Sequence, residues 1–202
     1  MDHNGIYAIP NNLPESLCKA LIQKFENEPQ YHMDGKLSKG PNIEQIDKSL
    51  KDSTEIAICQ TPGWEKIGNM LAPFFEKGLD EYTEKYREML RSKIGEDIDF
   101  VFNHNSFVPC DVRTPSIQRI DKGKCYTWHH DGGVLTYMWY LNTLKPEEGG
   151  ETEFICGKKV KPEAGKLLFF PATWINLHTG RLVKGDAKYI CVGNIYRGIH
   201  LK

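Results

Sequence analysis

The chain has 202 residues, of which 40% are hydrophobic and 26% charged, and a formal net charge of −1. This balance excludes a disordered or fibrous polymer and suits one soluble domain with a sizeable core. The near-zero charge supplies no strong field for nucleic acid or an anionic membrane, and no apolar run is long enough to cross a bilayer.

Residues 1–10 lack a basic stretch followed by an apolar one, so no secretory signal is expected. The six cysteines are scattered, without a Cys-x-x-Cys pair. Reduced thiols and a cytoplasmic setting follow as expectations.

Residues 14–27 read as an amphipathic helix, with Leu17, Ala20, Leu21 and Phe25 at helical spacing and Pro14 suited to its start. Residues 33–49, broken by Gly35, Gly40 and Pro41, read as a long polar loop and a candidate lid. Thr61-Pro62-Gly63-Trp64 opens a second helical region. Its apolar stripe runs through Trp64, Ile67, Leu71, Phe74 or Phe75, Leu79, Tyr82, Tyr86 and Leu90, and packs on a sheet. Pro73 is expected to kink or split it.

From about residue 99 the pattern changes. Short β-rich runs at 99–102, 116–120, 134–141, 153–155, 166–170 and 189–196 alternate with glycine-marked turns, as in a β-sandwich or barrel. The run 134–141 is apolar on both faces and should lie deep. The chain thus divides into a helical support region, 1–98, and a β-core, 99–202, within a single domain.

Tyr126-Thr127-Trp128-His129-His130-Asp131 precedes that deep run. Residues two apart on a strand share a face, so His129 and Asp131 project together and His130 points away. Asp131-Gly132-Gly133 reads as a strand running into a turn, leaving the carboxylate at a rim. A third ligand must come from elsewhere, and His178, beyond Phe169-Phe170-Pro171, is the best candidate. Two imidazoles and one carboxylate on one face of a metal leave the opposite positions open for substrate and oxygen, as in non-haem iron sites. His-x-Asp alone is a common chance pairing; its combination with His178 and Lys188 carries the reading. His130 is expected in solvent or beside the site, and His3, His32, His104 and His200 at the surface.

Lys188 starts a run in which Lys188, Ile190, Val192, Asn194 and Tyr196 share a face. A lysine on a largely apolar face is costly to bury without a counter-charge, and a bound carboxylate would neutralise it. The alternative is a lysine reaching solvent from a strand start. Tyr140 shares a face with Met138 and Thr136, and its buried hydroxyl needs a partner: a cosubstrate carboxylate or the backbone.

These residues resemble the iron(II)- and 2-oxoglutarate-dependent oxygenases, and among them the prolyl 4-hydroxylase-like group. The resemblance rests on Tyr126-x-x-His129-x-Asp131, Tyr140-Leu141-Asn142, Gly149-Gly150-Glu151-Thr152-x-Phe154, and Phe169-Phe170-Pro171 leading to His178 and Lys188. It covers residues 100–200 well and the first hundred loosely. It implies an α+β chain with a mainly β core, a double-stranded β-helix (jelly roll, cupin-like) behind N-terminal supporting helices. It implies Fe(II) held by His129, Asp131 and His178, with 2-oxoglutarate as cosubstrate bound through Lys188 and contacted by Tyr140 and Tyr126. O2 and, as an optional addition, ascorbate complete the cofactors. The implied reaction hydroxylates an unactivated C–H bond of a peptide, protein or amino-acid substrate, with a prolyl residue first. Asn194 stands where relatives often carry Trp. By strand parity Tyr126 faces away from His129 and reaches the site only if the chain bends there.

Two alternatives stay open. A nucleic-acid dealkylase on the same fold would want a basic groove and further arginines after the distal histidine. A non-catalytic jelly-roll module that keeps a metal would have no use for Lys188.

Overall fold

The computed structural model describes residues 1, 4–40, 43–95 and 110–197. The strand expected at 99–102, and His3, His104 and His200, lie outside the described residues.

β1 (Tyr7–Ile9) leads to α1 (Glu15–Asn27). Pro14 takes the extended position before the first turn, Glu15 and Lys24 complement the helix dipole, and Cys18, Leu21 and Phe25 form the buried stripe. Cys18 takes the place expected for Ala20, which is exposed.

The polar stretch 33–49 is not a plain loop. It carries β2 (Met33–Asp34), β3 (Leu37–Gly40) and β4 (Ile43–Gln45), with β3 and β4 paired as a hairpin. Its polarity reflects solvent on an exposed ribbon, tied by the Lys36–Glu44 and Lys48–Asp34 ion pairs, and does not mark absent structure. β5 (Thr54–Ala57) follows.

α2 (Glu65–Ile94) is one helix of 30 residues, and Pro73 does not split it. Pro73 is exposed, so the carbonyl it leaves without an N–H partner can meet water. Leu71, Leu79 and Tyr82 are buried along one side. Gly78 lets this helix approach the sheet: a Cβ there would stand 2.4 Å from Leu167 Cδ2.

The remaining strands are β6 (Cys110–Ile120), β7 (Tyr126–His129), β8 (Leu135–Tyr140), β9 (Thr152–Phe154), β10 (Lys159–Val160), β11 (Leu167–Pro171), β12 (His178–Gly180) and β13 (Lys188–Arg197). They build a seven-stranded sheet in the order β1-β11-β8-β13-β6-β5-β2 and a four-stranded sheet, β10-β9-β12-β7. Each named pairing is antiparallel. The first half of the chain therefore adds β1, β2 and β5 to the large sheet as well as its helices.

Strand alternation sorts the core into two layers. Leu135, Tyr137, Trp139, Leu167, Phe169, Cys191 and Ile195 face the helices, where they join Leu21, Phe25, Trp64 and Tyr82. Met138, Tyr140, Leu168, Phe170 and Ile190 face the other way and join Phe154 and Val160 of the small sheet. Each fully buried large apolar side chain contributes roughly 1.5–3 kcal/mol relative to exposure. All six residues of β8 are buried, as a run apolar on both faces requires. No described helix is long and apolar enough to cross a membrane.

Candidate metal centre

β7 and β12 are neighbours in the small sheet, and His178 lies directly opposite His129 in their register. Asp131 follows two residues past the end of β7. Gly132 takes φ +74° there, a left-handed turn that glycine adopts without strain. The turn leaves the carboxylate at the strand end, as the sequence suggested.

His129, Asp131 and His178 offer ligand atoms that all lie within 4.8 Å of one another. His129 Nε2 is 3.3 Å from Asp131 Oδ1, and His178 Nε2 is 3.6 Å from Oδ2. His129 Nδ1 lies 2.7 Å from Thr127 O and His178 Nδ1 3.1 Å from Asn176 O. A carbonyl only accepts, so each Nδ1 carries the proton and each Nε2 presents a lone pair to the cluster. Phe154 and Phe170 pack around the His178 ring.

Electrostatics suit a cation. Burial alone would raise the Asp131 pKa, but the two imidazoles in their protonated form, together with the Thr136 hydroxyl, outweigh it and hold the carboxyl at about 2. Burial pushes His178 down to about 4, against the pull of Asp131, so it stays neutral at pH 7. Two imidazoles and one carboxylate form a donor set that suits iron(II), with no fourth ligand in the group among the described residues.

The triad opens on a cavity of about 640 Å³ whose lining also includes Thr136, Met138, Thr152, Lys188, Ile190 and Asn194. The Lys188 face forms one wall as alternation required: Val192 and Tyr196 line it too. The pairing of β13 with β6 shifts register beyond Val192, where Asn194 faces Arg113. The extra residue sits on β6 near Pro115, which has no N–H for the ladder, so β13 itself stays regular.

Lys188 is 4% exposed. Its Nζ sits 5.4 Å from the Tyr140 ring centroid and pairs with no carboxylate among the described residues. Burial lowers its pKa to about 8, with Glu151 pulling weakly upward. A buried ammonium without a counter-ion, facing a cavity beside a metal-type cluster, is suited to an anionic ligand.

Tyr140 is fully buried, and its hydroxyl donates to Thr152 Oγ1 at 2.7 Å. Its partner is thus a side chain, which neither sequence expectation named. Tyr126 does line the cavity. Between His178↔His129 and Gly180↔Tyr126 the register slips, with one more residue on β7 than on β12. This bulge turns Tyr126 onto the His129 side, where the two rings stack at 3.5 Å. His130 is exposed, and His32 stacks on Phe25.

Sequence reading passed over Thr136, Thr152 and Lys51 as site residues. Alternation with Tyr140 places Thr136 on the cavity face, and Thr152 stands inside the Gly-Gly-Glu-Thr segment, so both carried a signal. Lys51 carried none. It is buried at the cavity, paired with Glu55 at 2.6 Å, because β5 pairs with the distant β6.

Residues 115–196 match the model of the 2OG-Fe(II) oxygenase superfamily. No curated protein sequence matches the chain. Among solved structures, the chain is similar to a viral collagen prolyl hydroxylase from Paramecium Bursaria Chlorella virus-1 in its 2OG complex. The identity is 20%, over 96% of this chain and 97% of that one, with a TM-score of 0.60. It is similar to a Pseudomonas putida prolyl-4-hydroxylase at 16% identity, over 96% and 94% of the two chains, with a TM-score of 0.66. A Trichoplax adhaerens prolyl hydroxylase, in complex with a hypoxia inducible factor oxygen degradation domain peptide fragment, shares 17% identity over 96% and 84%, with a TM-score of 0.63. These likenesses show a common fold. The matched segment holds the His129–Asp131–His178 cluster and Lys188 on that fold, and over residues 115–196 the chain is similar to the 2OG-Fe(II) oxygenase superfamily.

Proposed function

We propose that the chain is an Fe(II)- and 2-oxoglutarate-dependent dioxygenase of the prolyl 4-hydroxylase-like kind, which hydroxylates an unactivated C–H bond of a prolyl residue in a peptide or protein. The observation that carries this reading is a three-ligand cluster and a buried, unpaired Lys188 lining one cavity. The two sheets are read as the halves of a double-stranded β-helix, with the cluster at its open end. The net charge of −1 lends no support to a polynucleotide substrate.

His129 Nε2, His178 Nε2 and an Asp131 oxygen would hold the iron. Iron(II) and 2-oxoglutarate, when bound, supply the oxidation that converts R–H, O2 and 2-oxoglutarate into R–OH, succinate and carbon dioxide. The chain supplies placement. Thr127 O and Asn176 O fix the two imidazole rings. Lys188 receives the far carboxylate of 2-oxoglutarate, with the Thr152–Tyr140 hydroxyl pair beside it. A charge-assisted bond of that kind contributes about 1.5–3 kcal/mol. Met138, Ile190, Phe170 and Val192 make the cavity walls apolar and keep water out. Prolyl substrates are supported by the three similar structures, each a prolyl hydroxylase by name.

Incubation with Fe(II), 2-oxoglutarate and a proline-containing peptide library in air tests the proposal. Succinate should form, and mass spectrometry should find peptides with one added oxygen. Absence of both iron binding and succinate would overturn it.

A further inference from the structure

Thr136 Oγ1 lies 2.6 Å from Asp131 Oδ2 and 2.7 Å from Asn194 Oδ1. Both neighbours, so placed, are acceptors, yet a hydroxyl owns one proton. The ionised carboxylate is the stronger acceptor and takes it. The second contact is then satisfied only if the Asn194 amide presents its NH2 group to the free lone pair of Thr136. The two ends of an amide are distinguished by such a network alone. Thr136 is fully buried, so water does not replace either partner, and an oxygen–oxygen contact without a proton would be repulsive.

We propose that Asn194 and Thr136 form a donor relay: Asn194 N–H to Thr136 Oγ1, and Thr136 O–H to Asp131 Oδ2. The relay positions Asp131 as a one-oxygen metal ligand and turns the Asn194 carbonyl oxygen toward the substrate. With Oδ2 engaged, Oδ1 is the oxygen left for the metal, and a second coordination position is not consumed by the same carboxylate. Asn194 lines the cavity, and its other amide atom has no hydrogen bond among the described residues. Its carbonyl oxygen therefore offers an acceptor to a substrate that carries an N–H or O–H near the reacting carbon, such as a flanking peptide N–H. This rests on the dioxygenase reading; Thr136 and Asn194 are positioning residues within it.

The test uses Mn(II) as the probe, titrated anaerobically into the full chain without 2-oxoglutarate and read by electron paramagnetic resonance. Thr136→Val should weaken Mn(II) about 10- to 100-fold, the usual effect of losing a group that orients a ligand. Thr136→Ser should restore most of that loss. Asn194→Leu should weaken Mn(II) less, and Thr136→Val with Asn194→Leu should match Thr136→Val alone, because Asn194 acts through Thr136. In ¹⁵N-labelled protein, the Asn194 side-chain NH2 should exchange slowly with water in the wild type and in Thr136→Ser, and faster in Thr136→Val, which lacks the accepting oxygen. Wild-type Mn(II) affinity in a folded Thr136→Val protein, or additive losses in the double variant, overturns the relay. Should Thr136→Val fail to fold, an unprotected Asn194 NH2 in the wild type overturns it instead. A wild type that binds Mn(II) but makes no succinate removes the dioxygenase reading and leaves the relay to its own metal data.

Discussion

His129 and His178 face each other across the β7–β12 pair with ring centroids 4.2 Å apart, and each is held by the carbonyl two residues before it, Thr127 and Asn176. The symmetry of these two bonds fixes the same tautomer in both rings. A site built this way has its nitrogen lone pairs aimed before any metal arrives.

Removing a member of the cluster should therefore remove the metal. Asp131→Ala or His178→Ala is expected to lower iron affinity by more than about 100-fold, beyond the loss typical of a ligand's own supports, and to abolish succinate formation. Iron content after gel filtration and succinate release check both. Wild-type-like turnover in both variants would refute the assignment.

Lys188→Met should separate cosubstrate from metal. The KM for 2-oxoglutarate is expected to rise roughly 10- to 100-fold, corresponding to the loss of about 1.5–3 kcal/mol. Mn(II) affinity should stay near that of the wild type. Steady-state kinetics with varied 2-oxoglutarate make the comparison, and an unchanged KM removes Lys188 from the role.

The same lysine gives a pH dependence. Its folded-state pKa of about 8 lies below the ordinary 10.5, so the folded protein gives up the proton more readily than the unfolded chain. Below about pH 8 both states hold the proton and the folded state bears the full burial cost. Between about pH 8 and 10.5 the unfolded chain holds more protons, so this group's contribution to stability rises with pH, by on the order of 3 kcal/mol. The stability gap between Lys188→Met and wild type, measured by urea unfolding without ligand, should narrow over that window. Binding runs the other way: with Lys188 in the proposed role, 2-oxoglutarate pairs with its charged form, so affinity should fall as pH climbs past about 8.

Two substitutions in α2 should move stability in opposite directions. Pro73→Ala restores a helical hydrogen bond at an exposed position and should stabilise by about 1–3 kcal/mol. Gly78→Val places new atoms against Leu167 and should destabilise by about 1–3 kcal/mol or more. Thermal unfolding of each variant, with succinate assays to confirm an intact cavity, reads both.

Much of the site was legible because alternation along one strand is enough to read it. The five residues of the Lys188 face all line the cavity, and β8, apolar on both sides, is buried throughout. Tyr126 was not placed by that rule, since its orientation comes from a bulge whose register depends on β12, more than fifty residues later. The short strands β1 and β5 escaped notice for a related reason. Three or four residues hold too few apolar positions to show a period, and each becomes a strand by pairing with a distant partner, β11 or β6. The stretch 33–49 was read as loop from its glycines and charges, and its hairpin likewise depends on pairing that composition does not display.

β13 runs through the interior of the seven-stranded sheet with β6 on one flank and β8 on the other, whereas Lys36, Lys51 and Asp52 of the cavity lie next to the edge strand β2 and its neighbour β5. Amide protons on the inner strand should be among the slowest to exchange with deuterium, and those at the edge among the fastest. The cavity is therefore expected to yield first along that edge, while the wall bearing Lys188 and Asn194 keeps its shape until the sheet itself unfolds.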